Sequence, residues 1–333
     1  MAQLIVEDTV THHTNRILDP ACGSGAFLVL ALKKKVQLLA KQKEITSTDA
    51  TRLLDDVWGI DVNLLSVTLA RTNLYLTTVN LLKGRQQPAE IRPHVYVADT
   101  FVLPRFTDEE QRQLTQGIST SPIISAPVTP QISIPILSRL SPDEATHWIN
   151  VVGEALESGS STVPSDKKTS ADLIEFQRAL LQAMRDLRKK YGDNLWKFVL
   201  RNYGIPPLLR RSFDVVVGNP PWLSFREARE SIKKTMETIA TQYGVRPGVQ
   251  TKTSFNLAVT FFLASSYFVK SGGCIGFVFP LSVLDGAAHA PFIDLLMSGN
   301  LFQLRKAYDL EDIAPNPFPH NLPSSILIVE VKK

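Results

Sequence analysis

The stretch Arg16-Ile-Leu-Asp-Pro-Ala-Cys-Gly-Ser-Gly-Ala-Phe-Leu28 compresses an apolar run, an acidic residue, two glycines and the opening of an apolar helical pattern into one segment. It reads as a strand ending at Asp19, a turn through Gly23 and Gly25, and then a helix. Side-chain-free turn positions let a ligand approach the backbone, and a helix N-terminus offers N–H groups that no helix carbonyl accepts. The spacing departs from the GxGxxG dinucleotide fingerprint, because Leu28 stands where that fingerprint has Gly or Ala. A pyrophosphate-bearing cofactor is thereby disfavoured. By itself, a Gly-x-Gly turn is equally compatible with a purely structural role.

Outward from this segment the same rhythm recurs. Apolar or β-branched runs at Arg16–Asp19, Val57–Asp61, His94–Asp99, Phe213–Gly218, Cys274–Pro280, Phe302–Tyr308 and Ser324–Val331 predict seven strands. Helical patterns at Ala26–Lys41, Leu64–Leu82, Ser254–Lys270 and Pro291–Ser298 alternate with them, Gly272 and Gly273 ending the third as a C-cap pair. Such alternation predicts an α/β fold with a mostly parallel sheet and helices on both faces. Trp58-Gly-Ile-Asp61 ends the second strand in a carboxylate that can accept ribose hydroxyls or, more blandly, cap the next helix. Asp99, in Val97-Ala-Asp-Thr-Phe101, repeats the pattern after the third strand. Carboxylates at three strand ends converge on one crevice at the C-terminal edge of a parallel sheet, where such folds bind ligands.

The most specific element is Phe213-Asp-Val-Val-Val-Gly-Asn-Pro-Pro-Trp222, an apolar strand followed at once by Asn219, Pro220, Pro221 and Trp222. A tight turn explains one proline. A rigid pair that fixes a carbonyl direction while presenting an amide and a flat ring together asks for more than a turn.

Taken in order, DPACGSGAF, GID, ADTF, NPPW and SFNLAVTFFLASSYFVKSGGCIGFVFP resemble the S-adenosylmethionine-dependent N6-adenine DNA methyltransferases of type I and type IIG restriction-modification systems. The resemblance covers about Ile17 to Asp99 and Phe213 to Val331 and implies a Rossmann-like class I methyltransferase fold with S-adenosylmethionine as cofactor. It implies that Asp19, Gly23 and Gly25 surround the methionine moiety, that Asp61 binds the ribose and Asp99 the adenine amine, with Phe27 and Phe101 packed beside the cofactor and Ala21 and Val62 lining the same site. Asn219 and the Pro220 carbonyl would accept hydrogen bonds from the target amine, and Trp222 would stack on the target base beside Pro221. The reaction implied is methyl transfer to a flipped adenine in DNA, in restriction-modification or related phage defence. Two alternatives stand beside it: the same NPP chemistry on a release-factor glutamine or a ribosomal RNA guanine, and a noncatalytic DNA-binding scaffold.

The 333 residues, 44% of them hydrophobic, exclude disorder. Two cysteines far apart, Cys22 and Cys274, exclude a disulfide scaffold, and six histidines without ligand spacing give no metal site. The N-terminus is acidic where a secretory signal is basic, and no apolar run is long enough for a membrane span, so a cytoplasmic protein is expected. The expected organisation is a cofactor-binding half at 1–104, an insertion at 105–212 and a catalytic half at 213–333. Within the insertion, Gly117–Ile136 is uncharged and Pro-rich, Ser141-Pro-Asp-Glu144 reads as a helix start, and Leu173, Phe176, Leu180, Met184, Leu187 and Tyr191 fall on one helical face. From Lys167 to Arg211, eleven Lys/Arg stand against four Asp/Glu, a local charge of +7 that runs directly into the catalytic strand and suits a DNA backbone. Family members carry a Thr-Pro segment that closes over the cofactor, and nothing among the first sixteen residues matches it. With the last core strand at Ser324–Val331, a target-recognition domain is expected to be missing, its role falling to further sequence or to a separate specificity subunit.

Overall fold

The computed structural model describes residues 1–83, 91–101, 209–311 and 323–332, with scattered positions between 123 and 189. The chain forms two compact units, Met1–Phe101 with Arg210–Lys333, and Val102–Leu209. The first carries helix α1 (Ala2–Thr9), strand β1 (Ile17–Asp19), helices α2 (Ala26–Ala40) and α3 (Ser47–Asp55), strand β2 (Val57–Asp61), helix α4 (Leu64–Leu81) and strand β3 (His94–Val97). After the second unit come β4 (Phe213–Gly218), α5 (Glu230–Gln242), α6 (Leu257–Ser265), β5 (Val269–Pro280), α7 (Ser282–Asp285), α8 (Ala290–Ser298), β6 (Phe302–Asp309) and β7 (Ser324–Val331).

These seven strands form one sheet in the order β3-β2-β1-β4-β5-β7-β6. The first five in that order run parallel, and β7 lies antiparallel between β5 and β6. The expected mostly parallel, doubly covered sheet is what forms. Its central strands are buried on both sides and accordingly read as unbroken apolar runs, such as Val215-Val-Val217 in β4. Chain order reverses direction between β1 and β4, which makes the C-terminal ends of these two strands the topological switch point.

The second unit is described only in part. Ile123–Ile124 pairs antiparallel with Ile132–Ser133 inside the Pro-rich stretch, and residues 151–156 are helical. The predicted helix start at Ser141, the apolar face from Leu173 to Tyr191 and most of the basic run lie outside the described residues.

Four helices, α1, α3, α5 and the single-turn α7, are not legible in the periodicity. Helix α1 sits in the first sixteen residues, where the sequence predicts no element, and buries Ile5, Val6 and Val10 with Ile17, Phe27, Val215 and Ile328 in one core cluster. Helix α3 opens on a capping box in which the Thr46 hydroxyl accepts from Asp49 N–H and the Asp49 carboxylate accepts from Thr46 N–H. Helix α5 turns Met236, Ile239 and Ala240 inward.

The third predicted helix ends earlier than expected. It closes in a 3-10 turn at Ser266–Phe268, and Gly272 and Gly273 fall inside β5, not at a helix C-cap. The reason is a bulge. Val269 pairs with Phe213, but the next pairing is Cys274 with Val215, so β5 loops out between them. Gly272 takes φ +79° there, and a Cβ on Gly273 would stand 2.7 Å from the Asp214 carbonyl. Both positions need glycine for the bulge. Among the described residues no helix is long and apolar enough to cross a membrane.

Helix α1 reaches the sheet because β5 has no side chain at Gly276, where a Cβ would lie 2.7 Å from Ile5 Cγ2 and 3.0 Å from Thr9 Cγ2. Gly276→Val should therefore lower stability by about 1–3 kcal/mol in urea unfolding, as overpacking does. Adding Ile5→Ala should return part of that loss, a nonadditivity expected only of residues in contact. Full additivity of the two changes would show that α1 does not press on β5.

Candidate active site

Asp19 ends β1 at the switch point and is 1% exposed. Its Oδ1 accepts the Ala21 N–H at 3.1 Å, which starts the turn toward α2. The turn is then clamped to β2: Cys22 N–H donates to the Ile60 carbonyl at 2.9 Å and Gly23 N–H to Asp61 Oδ2 at 2.9 Å. Gly25 caps α2 in the left-handed region, φ 87°, with Ala70 of α4 so close that a Cβ would meet it at 3.0 Å. Two different needs thus place the glycines: a left-handed backbone, φ 52°, at Gly23, and a helix crossing at Gly25.

Asp61 does not cap α4. Asn63 does, its Oδ1 accepting from Leu65 N–H at 2.8 Å and Ser66 N–H at 3.3 Å. Asp61 instead spans the crevice mouth, one oxygen on Gly23 N–H and the other on Asn63 N–H at 2.8 Å. Each carboxylate oxygen keeps a further lone pair for a ligand hydroxyl. Val62 beside it is exposed. Beyond β3, Asp99 Oδ1 accepts the Phe101 N–H at 2.8 Å, and Thr100 Oγ1 donates to the Pro20 carbonyl at 2.7 Å. The Thr100 bond latches the third strand end to the first. Phe101 packs edge-on to Phe261 at 5.4 Å, while Phe27 lies in the core cluster with Val215.

Burial pushes the Asp19 carboxyl up to about 8, opposed by the Ala21 hydrogen bond and helped by the nearby Asp61 charge. Among the described residues no cation pairs with it. It is a buried acid whose ionised form calls for a positive partner.

The NPPW turn leaves β4 directly beside this carboxyl. A Cβ on Gly218 would stand 2.7 Å from Asp19 Oδ1, so only glycine lets the two strand ends meet. Asn219 is exposed and makes no hydrogen bond to a described residue; Pro220 is buried and Pro221 exposed. Trp222 is half-buried against the core, its Nε1–H directed at the Val278 carbonyl at 3.4 Å. The chain is then pinned by a short ladder to residues 253–257: Phe225 N–H to the Phe255 carbonyl at 2.7 Å, Arg226 N–H to Thr253 at 3.1 Å and Leu257 N–H to Leu223 at 2.8 Å.

Behind that ladder stands a residue that no sequence motif marks. His289, 2% exposed, accepts the Asn256 N–H on Nε2 at 3.0 Å while Nδ1 faces the Ser282 carbonyl at 2.9 Å. Burial lowers its pKa, which keeps the ring neutral and Nε2 an acceptor. Spacing gives no signal for it, because its partner is a backbone N–H thirty-three residues earlier. The basic pair Arg210-Arg211, by contrast, does not reach the site. It enters the N-terminal end of β4, the far end from Asn219 and roughly 20 Å away at 3.3 Å per residue. Among the described residues no His/Cys/Asp/Glu cluster could hold a metal ion.

A family model described as Eco57I restriction-modification methylase matches residues 55–311, and one described as the MmeI DNA-methyltransferase domain matches residues 8–95. A Methanocaldococcus jannaschii protein, provisionally named a type II restriction enzyme and methyltransferase, is 21% identical over 83% of this chain and 26% of its own length. The type IIL restriction-modification enzyme MmeI, solved in complex with DNA, aligns over 100% of this chain and 33% of its own at 12% identity, with a TM-score of 0.51. The DrdV–DNA complex aligns over 99% and 26% at 13% identity, also with a TM-score of 0.51. The chain thus spans between a quarter and a third of the length of these relatives. At such identities the structural likeness speaks to fold.

Asp19 holds its proton more tightly folded than unfolded, so the stability linked to that proton is fully present below its ordinary pKa of 3.8 and is lost as pH rises to about 8. Asp19→Asn imitates the protonated acid. Its unfolding free energy should stay above the wild-type value by a margin that grows from pH 5 to pH 8. Parallel pH profiles for the two proteins would assign the titration elsewhere.

Proposed function

The chain belongs to the Eco57I restriction-modification methylase family, and from that premise we propose that it transfers a methyl group from S-adenosylmethionine to the exocyclic N6 amine of an adenine flipped out of DNA. The observation that carries the reading is the meeting of two groups at the switch point: the buried, unpaired Asp19 carboxyl and, one glycine away, the free Asn219 carboxamide.

The crevice residues suit this cofactor. The Asp19 carboxyl, lacking a cation, fits an amino-acid ammonium; Asp61, with acceptor capacity left on both oxygens, fits a ribose diol; Asp99 fits an adenine amine, with Phe101 beside it. Ala21, Gly23 and Gly25 supply backbone free of obstruction, and Val62 and Phe27 border the same loop. Bound there, S-adenosylmethionine supplies an electrophilic methyl group.

The chain's own task is to make a poor nucleophile attack. The lone pair of an amine conjugated to a purine is delocalised into the ring. The Asn219 side-chain oxygen and the Pro220 carbonyl, held by two successive prolines, accept the two amine hydrogens and favour a pyramidal nitrogen whose lone pair is directed at the methyl donor. This is positioning joined to electrostatic preorganisation, and it requires no His, Cys or Ser nucleophile. Flipping the base costs a few kcal/mol, and stacking on Trp222 offsets about 1–3 kcal/mol of that.

Asn219→Ala should cut methyl transfer to adenine-containing DNA by about 10²–10³-fold, the usual loss for a preorganised partner of the transition state, with S-adenosylmethionine affinity unchanged in calorimetry. A variant that kept its turnover would remove Asn219 from the mechanism. Cofactor binding at pH 7 should release about one proton, since an ammonium beside Asp19 pulls down a pKa of about 8. Calorimetry in buffers of different ionisation enthalpy measures it, and binding without proton release in Asp19→Asn identifies the source.

A further inference from the structure

We propose that the surface following the NPPW turn, from Arg226 through α5 to Lys252, grips the phosphates of the DNA strand that carries the target base. The inference rests on the DNA reading above and deepens it by naming the backbone-binding surface of the same site. Residues 224–252 hold six cations, Arg226, Arg229, Lys233, Lys234, Arg246 and Lys252, against three acids, Glu227, Glu230 and Glu237.

The acids are all engaged within the protein. Glu227 accepts from Ser224 N–H at 3.2 Å and from the Ser224 hydroxyl at 2.5 Å, closing the turn after the catalytic loop. Glu230 pairs with Lys233 at 3.6 Å, and Glu237 pairs with Lys252. Arg226, Arg229 and Lys234 are exposed and have no carboxylate within ion-pair distance among the described residues. Phe225 lies under two of the paired cations, with Lys252 Nζ 4.8 Å and Lys233 Nζ 5.7 Å from its ring centroid. Ring and carboxylate together hold these two amines in place, and the surplus positive charge of the surface is that of Arg226, Arg229 and Lys234.

Location decides what that anion is. The ladder from Leu223 to Arg226 against residues 253–257 begins one residue beyond Trp222 and fixes this surface to the loop bearing Asn219. A nucleotide that turns its base into the site keeps its own two phosphates, so negative charge necessarily sits at the rim of the pocket. Cations attached rigidly to that rim bind the strand wherever the target base lies and read no sequence. What separates this surface from a solvated helix face, the commoner reason for a run of charge, is that its three carboxylates are each bound within the protein while Arg226, Arg229 and Lys234 have no carboxylate partner among the described residues.

The test is the salt dependence of affinity for an adenine-containing duplex, measured by fluorescence anisotropy between 50 and 200 mM KCl. For R226Q/R229Q/K234Q, the slope of log affinity against log salt should become shallower by about 2 to 3, near 0.9 for each phosphate no longer neutralised, while S-adenosylmethionine affinity stays at the wild-type value. Asn219→Ala should keep the wild-type slope. An unchanged slope in the triple variant overturns the inference, as does a wild-type chain whose DNA affinity ignores salt. If methyl transfer to adenine persists alongside either result, the surface assignment fails and the methyltransferase reading stands. If the slope falls as expected but Asn219→Ala retains full turnover, the surface stands and the catalytic assignment fails.

Discussion

A carboxyl group buried at the end of the central strand constrains everything around it. Asp19 lies where β1 meets β4, the point at which the sheet reverses its order, and Gly218 must lack a side chain for the two strand ends to close over it. Burial of an acid without a cation is costly, and the chain tolerates it by holding the proton up to about pH 8. The same close approach brings the turn of the second half of the chain against the glycine loop of the first. Two segments two hundred residues apart share one crevice because a single Cβ is absent.

Rigidity in that crevice comes from backbone bonds. Asp61 holds the glycine loop through Gly23 N–H, Thr100 holds Pro20, and the chain beyond Trp222 is held by a ladder that His289 braces from behind. Each anchor uses a polar side chain to satisfy a backbone group in a turn or at a helix start, where regular structure offers no partner. A turn fixed on both sides can present Asn219 unsupported and exposed at little entropic cost on binding. The free carboxamide is therefore a consequence of how thoroughly its neighbours are tied.

Much of this is legible in the amino-acid order. All seven strands are readable from the sequence: the central ones are unbroken apolar runs because they are buried on both faces, while the antiparallel edge strand β6 is largely exposed and mixes polar residues with apolar ones. Asp19, Asp61, Asp99 and Asn219 are readable as strand-end residues because a strand end followed by a turn is itself a sequence pattern. Helices α1, α3 and α5 are less visible. Helix α1 is eight residues long with only Ile5, Val6 and Thr9 buried, too short for a period to emerge, and α3 announces itself only through its capping box at Thr46 and Asp49. Gly272 and Gly273 resemble a helix end since glycine serves bulges and C-caps alike, and only the pairing of Val269 with Phe213 decides between them.

The sequence by itself determined the seven strands and the residue types at their ends, since both depend on neighbours within a few residues. Only the tertiary structure decided what those ends touch. Asn63, not Asp61, caps α4, which frees Asp61 for the glycine loop. Arg210 and Arg211 fall at the end of β4 opposite Asn219, whereas the chain segment carrying Arg226 is tied to the NPPW turn through a ladder with residues 253–257. His289 braces the turn after β4 from a helix start far along the chain. Hydrogen bonds between distant backbone segments leave no trace in local composition, because any residue can supply an N–H or a carbonyl. Their placement is fixed by packing alone.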